Sequence, residues 1–172
     1  MTSHSRGKIT ELIGIDPGLL SAGVFSIDPR TGLHLRHALI KGIRSGAAPL
    51  PARVFQVNKV LVEYIYEVEG YKILAVEGTP YKMRSSSMDQ MARCRQAIYD
   101  LAAFFLEDFE FMEMSPTKIK KLATGKGNAS KEQVAEVTHG TFGGDIEEYR
   151  LGSYAVSDAA AVAMAARSIR SE

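Results

Sequence analysis

This chain of 172 residues has one cysteine, no long apolar run and a net charge of only +1. The one cysteine, Cys94, has no partner for an intramolecular disulfide, which agrees with a reducing compartment. No stretch approaches the roughly 20 apolar residues that a membrane span needs, and the polar start lacks the apolar core of a signal peptide. We therefore expect a cytoplasmic protein with no membrane partner, acting in a host cytoplasm if its source is viral.

The net charge of +1 excludes a polycation, but the charges are placed unevenly along the chain. Lysines crowd residues 118–131, lysines and arginines crowd residues 82–95, and acids gather at residues 63–69 and 145–148. A basic face attracts a nucleic-acid backbone even on a nearly neutral protein. The alternative is that each of these runs is a solvated surface.

The composition is typical of a globular protein, with 45% hydrophobic and 24% charged residues. The length suits one domain with a core of its own, and no internal repeat or low-complexity tract interrupts the chain. We predict a flexible lead over residues 1–8 and a single domain over residues 9–172.

The apolar periodicity predicts an α/β fold with a five-stranded mixed sheet flanked by helices. Strands are predicted at residues 9–16, 23–27, 33–40, 73–77 and 109–114. Helices are predicted at residues 51–68, 87–106, 116–124, 131–137 and 154–169, with an irregular acidic loop at 140–151. The short second connection implies an antiparallel meander of the first three strands, and helical crossovers imply parallel strands beside it.

Three acids stand at the edges of predicted buried elements. Asp16 ends an apolar run before a Pro-Gly turn, Glu77 ends another before Gly78, and Asp158 opens an apolar helix. If the first and fourth strands are neighbours, these carboxylates converge at one edge of the sheet. Hard divalent cations take such oxygen ligands, and two of them can drive phosphodiester cleavage. The alternative is that each acid is a solvated strand or helix end.

A turn rich in glycine and lysine, Gly125-Lys126-Gly127, separates two predicted helices. The backbone N–H groups at the start of the second helix, with Lys131 beside them, could hold a phosphate. Neither Ser nor Thr follows Gly-Lys, so the turn is not the phosphate-binding loop of an NTPase and we expect no nucleotide cofactor. A solvated basic turn is the alternative.

Four motifs, in this order, resemble the RuvC family of Holliday-junction resolvases. They are Gly-Ile-Asp-Pro-Gly at Asp16, Val-Glu-Gly at Glu77, Thr-Gly-Lys-Gly-Asn-Ala-Ser-Lys-Glu-Gln-Val at 124–134, and Ser-Asp-Ala-Ala-Ala-Val-Ala at Asp158. The resemblance implies an RNase H-like fold and a homodimeric, nucleoid-associated endonuclease. Such an enzyme nicks two opposing strands of four-way DNA and uses Mg²⁺ or Mn²⁺, two ions per active site.

The resemblance also implies roles for individual residues. Asp16, Glu77 and Asp158 resemble the metal ligands, and Lys120 and Lys131 fall where the family places lysines near the scissile phosphate. We expect further DNA contacts from the two basic segments, namely Tyr81, Lys82, Arg84, Lys118, Lys121 and Lys126. Tyr81 either stacks on an unpaired base or packs on its own loop.

The methionine- and alanine-rich face of the helix predicted at residues 87–106 has two interpretations. It either covers the sheet or forms the dimer interface, and the resemblance favours the interface. A two-fold dimer would place two active sites on opposed strands of a two-fold junction. Arg93 and Arg95 near the start of this helix are then DNA-backbone contacts, with a solvated face as the alternative.

The chain departs from the family pattern at Ala155, where a second metal ligand usually precedes the acid of the last helix. Either three acids suffice with phosphate oxygens, or Asp145, Glu147 or Glu148 supplies the missing ligand. The departures favour a bacteriophage-type member that cuts several branched DNAs. Two alternatives remain: another RNase H-like nuclease acting on branched DNA or RNA–DNA hybrid, and a catalytically inactive junction-binding protein.

Overall fold

The computed structural model describes residues 9–44, 46–67, 69–78, 86–106, 108–143 and 154–171. The predicted lead at residues 1–8 lies outside these ranges, as does most of the predicted acidic loop. No helix within the described ranges is both long and apolar enough to cross a bilayer.

The five predicted strands are present, each within two residues of its expected bounds. They are β1 (Ile9–Asp16), β2 (Ser21–Ile27), β3 (His34–Lys41), β4 (Tyr71–Glu77) and β5 (Phe109–Met114). The helices of the described ranges are α1 (Leu50–Tyr66), α2 (Ser86–Phe105), α3 (Pro116–Thr124), α4 (Lys131–Phe142) and α5 (Ala155–Ser171).

The strands form one mixed sheet in the order β3-β2-β1-β4-β5. The first three strands pair antiparallel as a meander, and β4 and β5 continue the sheet as parallel neighbours of β1. This arrangement confirms the predicted five-stranded mixed sheet. Because β1 and β4 are adjacent and parallel, they end at the same edge of the sheet.

Alternating residues of the strands build a core on each face of the sheet, as the two-residue period of a strand requires. Leu12, Phe25 and Ile73 are buried beneath α5 on one face, where α3 and α4 pack around that helix. Ile13 and Leu74 are buried on the other face, which α1 and α2 cover. The central strands are therefore enclosed on both sides, and polar groups at their ends are held by rigid backbone.

Helix α5 lies unusually close to β1 and β2. A Cβ atom added at Gly14 would lie 2.1 Å from the carbonyl oxygen of Ala159, and one at Gly23 would lie 1.9 Å from that of Ala155. Only glycine in the strands and small residues in the helix permit this approach. The alanine-rich sequence of α5 thus has a packing cause, and it determines the height of Asp158 above the sheet.

Two serines begin α3 and α4 as expected. The hydroxyl of Ser115 accepts a hydrogen bond from the Lys118 N–H, and Ser130 and Gln133 form a reciprocal capping box.

The expected end of α4 at Val137 is wrong, since the helix continues through Gly140 to Phe142. The ring of Phe142 packs on Phe25 with 4.7 Å between centroids, and this tertiary contact outweighs the low helix propensity of glycine.

Candidate active site

Asp16 and Glu77 leave the sheet side by side. The register of β1 with β4 pairs Ile15 with Val76, so the next residue of each strand is one of these two acids. Both strands are fully buried just before the acid. Apolar burial therefore anchors the backbone that carries each carboxylate.

Asp158 joins these acids from the first turn of α5. Its side chain is 15% exposed, and its N–H donates to the carbonyl of Tyr154 at 2.8 Å as the helix begins. A carboxylate is favourable at this end of a helix, where unpaired N–H groups carry partial positive charge. The close contact of α5 with Gly14 and Gly23 brings the acid to the edge where β1 and β4 end.

The three carboxylates lie near enough for their charges to act on one another. Burial raises the pKa of Asp16 well above its ordinary value, and the charges of Asp158 and Glu77 raise it further. Burial and then Asp158 raise the pKa of Glu77. Burial also raises the pKa of Asp158, against the opposing charge of Lys131. Clustered, partly buried carboxylates repel one another and are stabilised by a nearby cation.

Two lysines supply positive charge to this cluster. Lys131 Nζ lies 3.3 Å from Asp158 Oδ2, and its pKa is raised because the carboxylates outweigh the opposing effect of burial. The charge of Lys120 lowers the pKa of both Glu77 and Asp158. The charges of Asp16, Glu77, Asp158 and Lys131 therefore act on one another, and that of Lys120 acts on Glu77 and Asp158.

Neighbouring contacts hold Lys131 toward the acids. The capping box of Ser130 fixes the first turn of α4, and the Tyr154 hydroxyl donates to Glu132 Oε1 at 3.3 Å. The Lys131 ammonium lies 6.0 Å from the centroid of the Tyr154 ring. The starts of α4 and α5 are therefore joined beside Asp158, a contact that sequence spacing did not indicate.

The donor set fits hard divalent cations, which prefer carboxylate oxygens. Within the described residues, however, no three His, Cys, Asp or Glu side chains are already grouped as a metal site. Asp158 Oδ2 pairs with Lys131 instead, so a cation that binds this oxygen has to displace the lysine. Ala155 is buried and offers no ligand, and Asp145, Glu147 and Glu148 lie outside the described residues.

The residues proposed for DNA contact divide into two groups. Lys118, Lys121 and Lys126 are exposed on α3 and the turn after it, while Ile119 and Ala123 hold α3 to the core. Gly125 ends α3 with a φ of 78°, a conformation that favours glycine. The loop residues Tyr81, Lys82 and Arg84 lie outside the described ranges.

Arg95 is not the DNA contact that the sequence suggested. It is 9% exposed, and its Nε lies 3.5 Å from Glu113 Oε1 of β5. The sequence held a signal for this burial, because Arg95 shares a helix face with Ile98 and Ala102, three and seven residues later, both fully buried. Arg93 remains exposed and pairs with Asp89 at 3.4 Å.

Comparison with known proteins agrees with this geometry. The sequence profile of the family described as crossover junction endodeoxyribonuclease RuvC matches residues 12–166. The RuvC of Chloroherpeton thalassium is 30% identical over 153 residues, covering 88% of this chain and 78% of that protein. The RuvC of Salinibacter ruber is 31% identical over 123 residues, covering 72% of this chain and 67% of that protein.

Solved structures share the fold. Thermus thermophilus RuvC in complex with a Holliday junction superimposes with a TM-score of 0.74 at 22% identity, covering 94% of this chain and 96% of that one. The yeast mitochondrial Holliday junction resolvase superimposes with a TM-score of 0.63 at 13% identity, covering 95% and 80% of the two chains. The architecture is therefore the RNase H-like fold of these proteins.

Proposed function

Since the chain belongs to the RuvC family of crossover junction endodeoxyribonucleases, we propose that it resolves four-way DNA by paired nicks in opposing strands. The observation that supports this proposal is that Asp16 and Glu77 end neighbouring strands and that Asp158, paired with Lys131, lies near enough for its charge to act on both. We propose that this activity takes place in the cytoplasm.

The three carboxylates are the proposed ligands of two Mg²⁺ or Mn²⁺ ions. When bound, these ions activate water and neutralise charge on the scissile phosphate. Asp16 and Glu77 hold their ligand positions because their strands are rigid and buried, and Asp158 reaches the same point from α5. Lys120 and Lys131 stabilise the negative charge that develops on the phosphate.

The DNA backbone is held, in this proposal, by exposed lysines along α3 and its following turn. Lys118, Lys121 and Lys126 act as point charges on phosphates and carry little sequence information. The basic loop residues Lys82 and Arg84 serve the same purpose, and Tyr81 stacks on an unpaired base. Binding of DNA that depends little on its sequence follows from this pattern.

A homodimer through α2 would bring two such sites to opposed strands. Arg93 and Asp100 lie two helical turns apart on the exposed side of α2, beside an apolar groove of about 370 Å³ between α1 and α2. In a two-fold antiparallel pairing of two α2 helices, Arg93 of each copy can face Asp100 of the other. Phe55 on α1 and Phe104 on α2 are 57% and 81% exposed, and a second copy would cover such apolar surface.

One cleavage experiment tests the function. A synthetic four-way junction, labelled on each strand in turn, is incubated with the protein in Mg²⁺ and in EDTA. We expect symmetric nicks in two opposing strands with Mg²⁺ only, and none with Asp16→Asn, which should still bind the junction.

Two other outcomes identify the competing functions. Faster cleavage of an RNA–DNA hybrid than of the junction would favour a different RNase H-like nuclease. Binding of the junction without any metal-dependent cleavage would favour an inactive binding protein. A linear duplex of the same sequence is the control for structure selectivity, and light scattering of the free protein tests the dimer.

A further inference from the structure

A buried arginine lies on the sheet face opposite α5, close to the proposed metal ligand Glu77. The side chain of Arg95 in α2 is 10% exposed and reaches Glu113 of β5, with 3.5 Å between Nε and Oε1. Its positive charge acts on Glu77 together with those of Lys131 and Lys120. Burying a guanidinium is costly unless it is paired, so this position calls for an explanation.

Helix α2 is locked in place at this point. Asn58 of α1 is 1% exposed and its Nδ2 donates to the carbonyl oxygen of Cys94 at 3.1 Å. Cys94 itself is fully buried between α1 and α2. The backbone that carries Arg95 is therefore fixed relative to α1.

The carboxylate of Glu113 lies directly over Gly78, the residue that follows Glu77. A Cβ atom at Gly78 would come within 2.6 Å of Glu113 Oε1. The Gly78 N–H also donates to the Met114 carbonyl at 2.7 Å. The backbone that follows Glu77 is thus held by a hydrogen bond to β5. The side chain of Glu113, which pairs with Arg95, covers it.

We infer that Arg95 is a positioning residue for Glu77, acting through Glu113 to hold the end of β4 at Gly78. In this role Arg95 acts through another side chain, because its guanidinium is only 10% exposed and pairs with Glu113. Groups behind metal ligands orient them, and their loss costs about 10- to 100-fold in metal affinity or activity. This role rests on the function proposed above, in which Glu77 binds metal.

The test compares Arg95→Met, Arg95→Lys and Glu113→Gln with the wild type. We expect Arg95→Met and Glu113→Gln to raise the Mg²⁺ concentration for half-maximal junction cleavage about tenfold, with junction affinity in EDTA unchanged. Arg95→Lys should recover part of the loss, since it keeps the charge but lacks the planar fork. Lys59→Met on α1, which removes an exposed ion pair of 3.6 Å, is the matched control and should behave as wild type.

A second perturbation reaches the same contact without changing charge. Gly78→Ala forces the Glu113 carboxylate aside, so it should reproduce the raised Mg²⁺ requirement of Glu113→Gln. Gly78→Ala and Glu113→Gln break the same contact. The double variant should therefore need little more Mg²⁺ for half-maximal cleavage than either single variant. Fully additive losses would overturn the inference.

A readout without DNA separates this inference from the proposed function. The rise in melting temperature on adding Mn²⁺ should be smaller for Glu113→Gln than for wild type and Lys59→Met, even if no DNA is cleaved. An unchanged Mn²⁺ shift together with an unchanged Mg²⁺ requirement in Glu113→Gln would overturn the role of Arg95. Failure of the wild type to nick junctions would instead overturn the proposed function, while leaving the Mn²⁺ comparison valid.

Discussion

Lys131 of α4 and Asp158 of α5 form an ion pair of 3.3 Å at the edge where β1 and β4 end. The lysine side chain is 63% exposed and the aspartate 15% exposed, so the ammonium approaches the acid from the solvent side. In the proposed function, a DNA phosphate approaches from the same side. Lys131 would then exchange its carboxylate partner for the phosphate when the substrate binds.

The first prediction concerns this exchange. Replacing Lys131 with Met should lower the single-turnover rate of junction cleavage about 100-fold, because a positioned positive charge beside the phosphate is lost. Junction affinity should fall only a few-fold, since Lys118, Lys121 and Lys126 remain. Rates at saturating protein, with affinities from gel shift, distinguish the two effects. A defect that disappears at saturating protein would show that Lys131 only binds DNA.

The second prediction concerns the metal-free acids. Burial, then Asp158 and Glu77, raise the pKa of Asp16 above its ordinary 3.8. A raised pKa in the fold means that stability is fully present below the unfolded value and is lost as pH rises through the folded value. In EDTA, Asp16→Asn should therefore melt higher than wild type at pH 7.5, and the gap should narrow toward pH about 4.

Adding metal should shift the comparison of melting temperatures in favour of the wild type over Asp16→Asn. A divalent cation that binds only the folded state stabilises it, so Mg²⁺ or Mn²⁺ should raise the melting temperature of wild type more than that of Asp16→Asn. Differential scanning fluorimetry at several pH values measures both effects. A wild type that melts no lower than Asp16→Asn at pH 7.5 in EDTA would contradict the assigned burial and repulsion of this carboxylate.

The placement of Asp16 and Glu77 could be predicted from sequence because it follows from local pattern. An apolar run that ends in an acid before a turn describes one strand end, and adjacency of β1 and β4 then places both acids at one edge. Asp158 was predictable as a helix-start acid. The distance of Asp158 from Asp16 and Glu77 depends on the close approach of α5 to Gly14. This contact joins residues far apart in the chain and could not be predicted from the sequence.

Where sequence reasoning failed, tertiary contacts were the cause. Arg95 was expected to face DNA with its neighbours, but pairing with Glu113 compensates its charge and permits burial. The end of α4 was placed too early because the contact of Phe142 with Phe25, which favours a longer helix, joins residues far apart in the sequence. Both errors come from judging a residue by its local sequence alone.

The third prediction tests the close approach of α5 to the sheet. Gly14→Ala places a Cβ atom 2.1 Å from the Ala159 carbonyl, so it should destabilise the fold by about 1–3 kcal/mol and displace Asp158. Gly140→Ala is the matched control, because that glycine lies within α4 with no atom near its Cβ position. It should stabilise the fold by about 0.5–1 kcal/mol. Urea unfolding measures both, and equal effects of the two variants would rule out the close packing.

The fourth prediction concerns a buried ion pair at the other end of β1. Glu11 is 3% exposed, accepts two hydrogen bonds of 2.9 Å from Arg36, and accepts a third of 3.0 Å from Ser26. Glu11→Leu should cost about 3 kcal/mol in the free energy of unfolding, because it leaves the largely buried guanidinium of Arg36 with only the Tyr64 carbonyl and the exposed Glu67 carboxylate as polar partners among the described residues. The double variant Glu11→Leu/Arg36→Met should recover much of that loss, since an apolar pair avoids the desolvation of both charges. Urea denaturation gives the coupling energy between Glu11 and Arg36. A double variant as unstable as the sum of the two single variants would show that the two side chains do not act as a pair.

The activity of these variants is the control. Because Glu11 and Arg36 lie at the opposite end of β1 from Asp16, junction cleavage by the folded variants should match wild type.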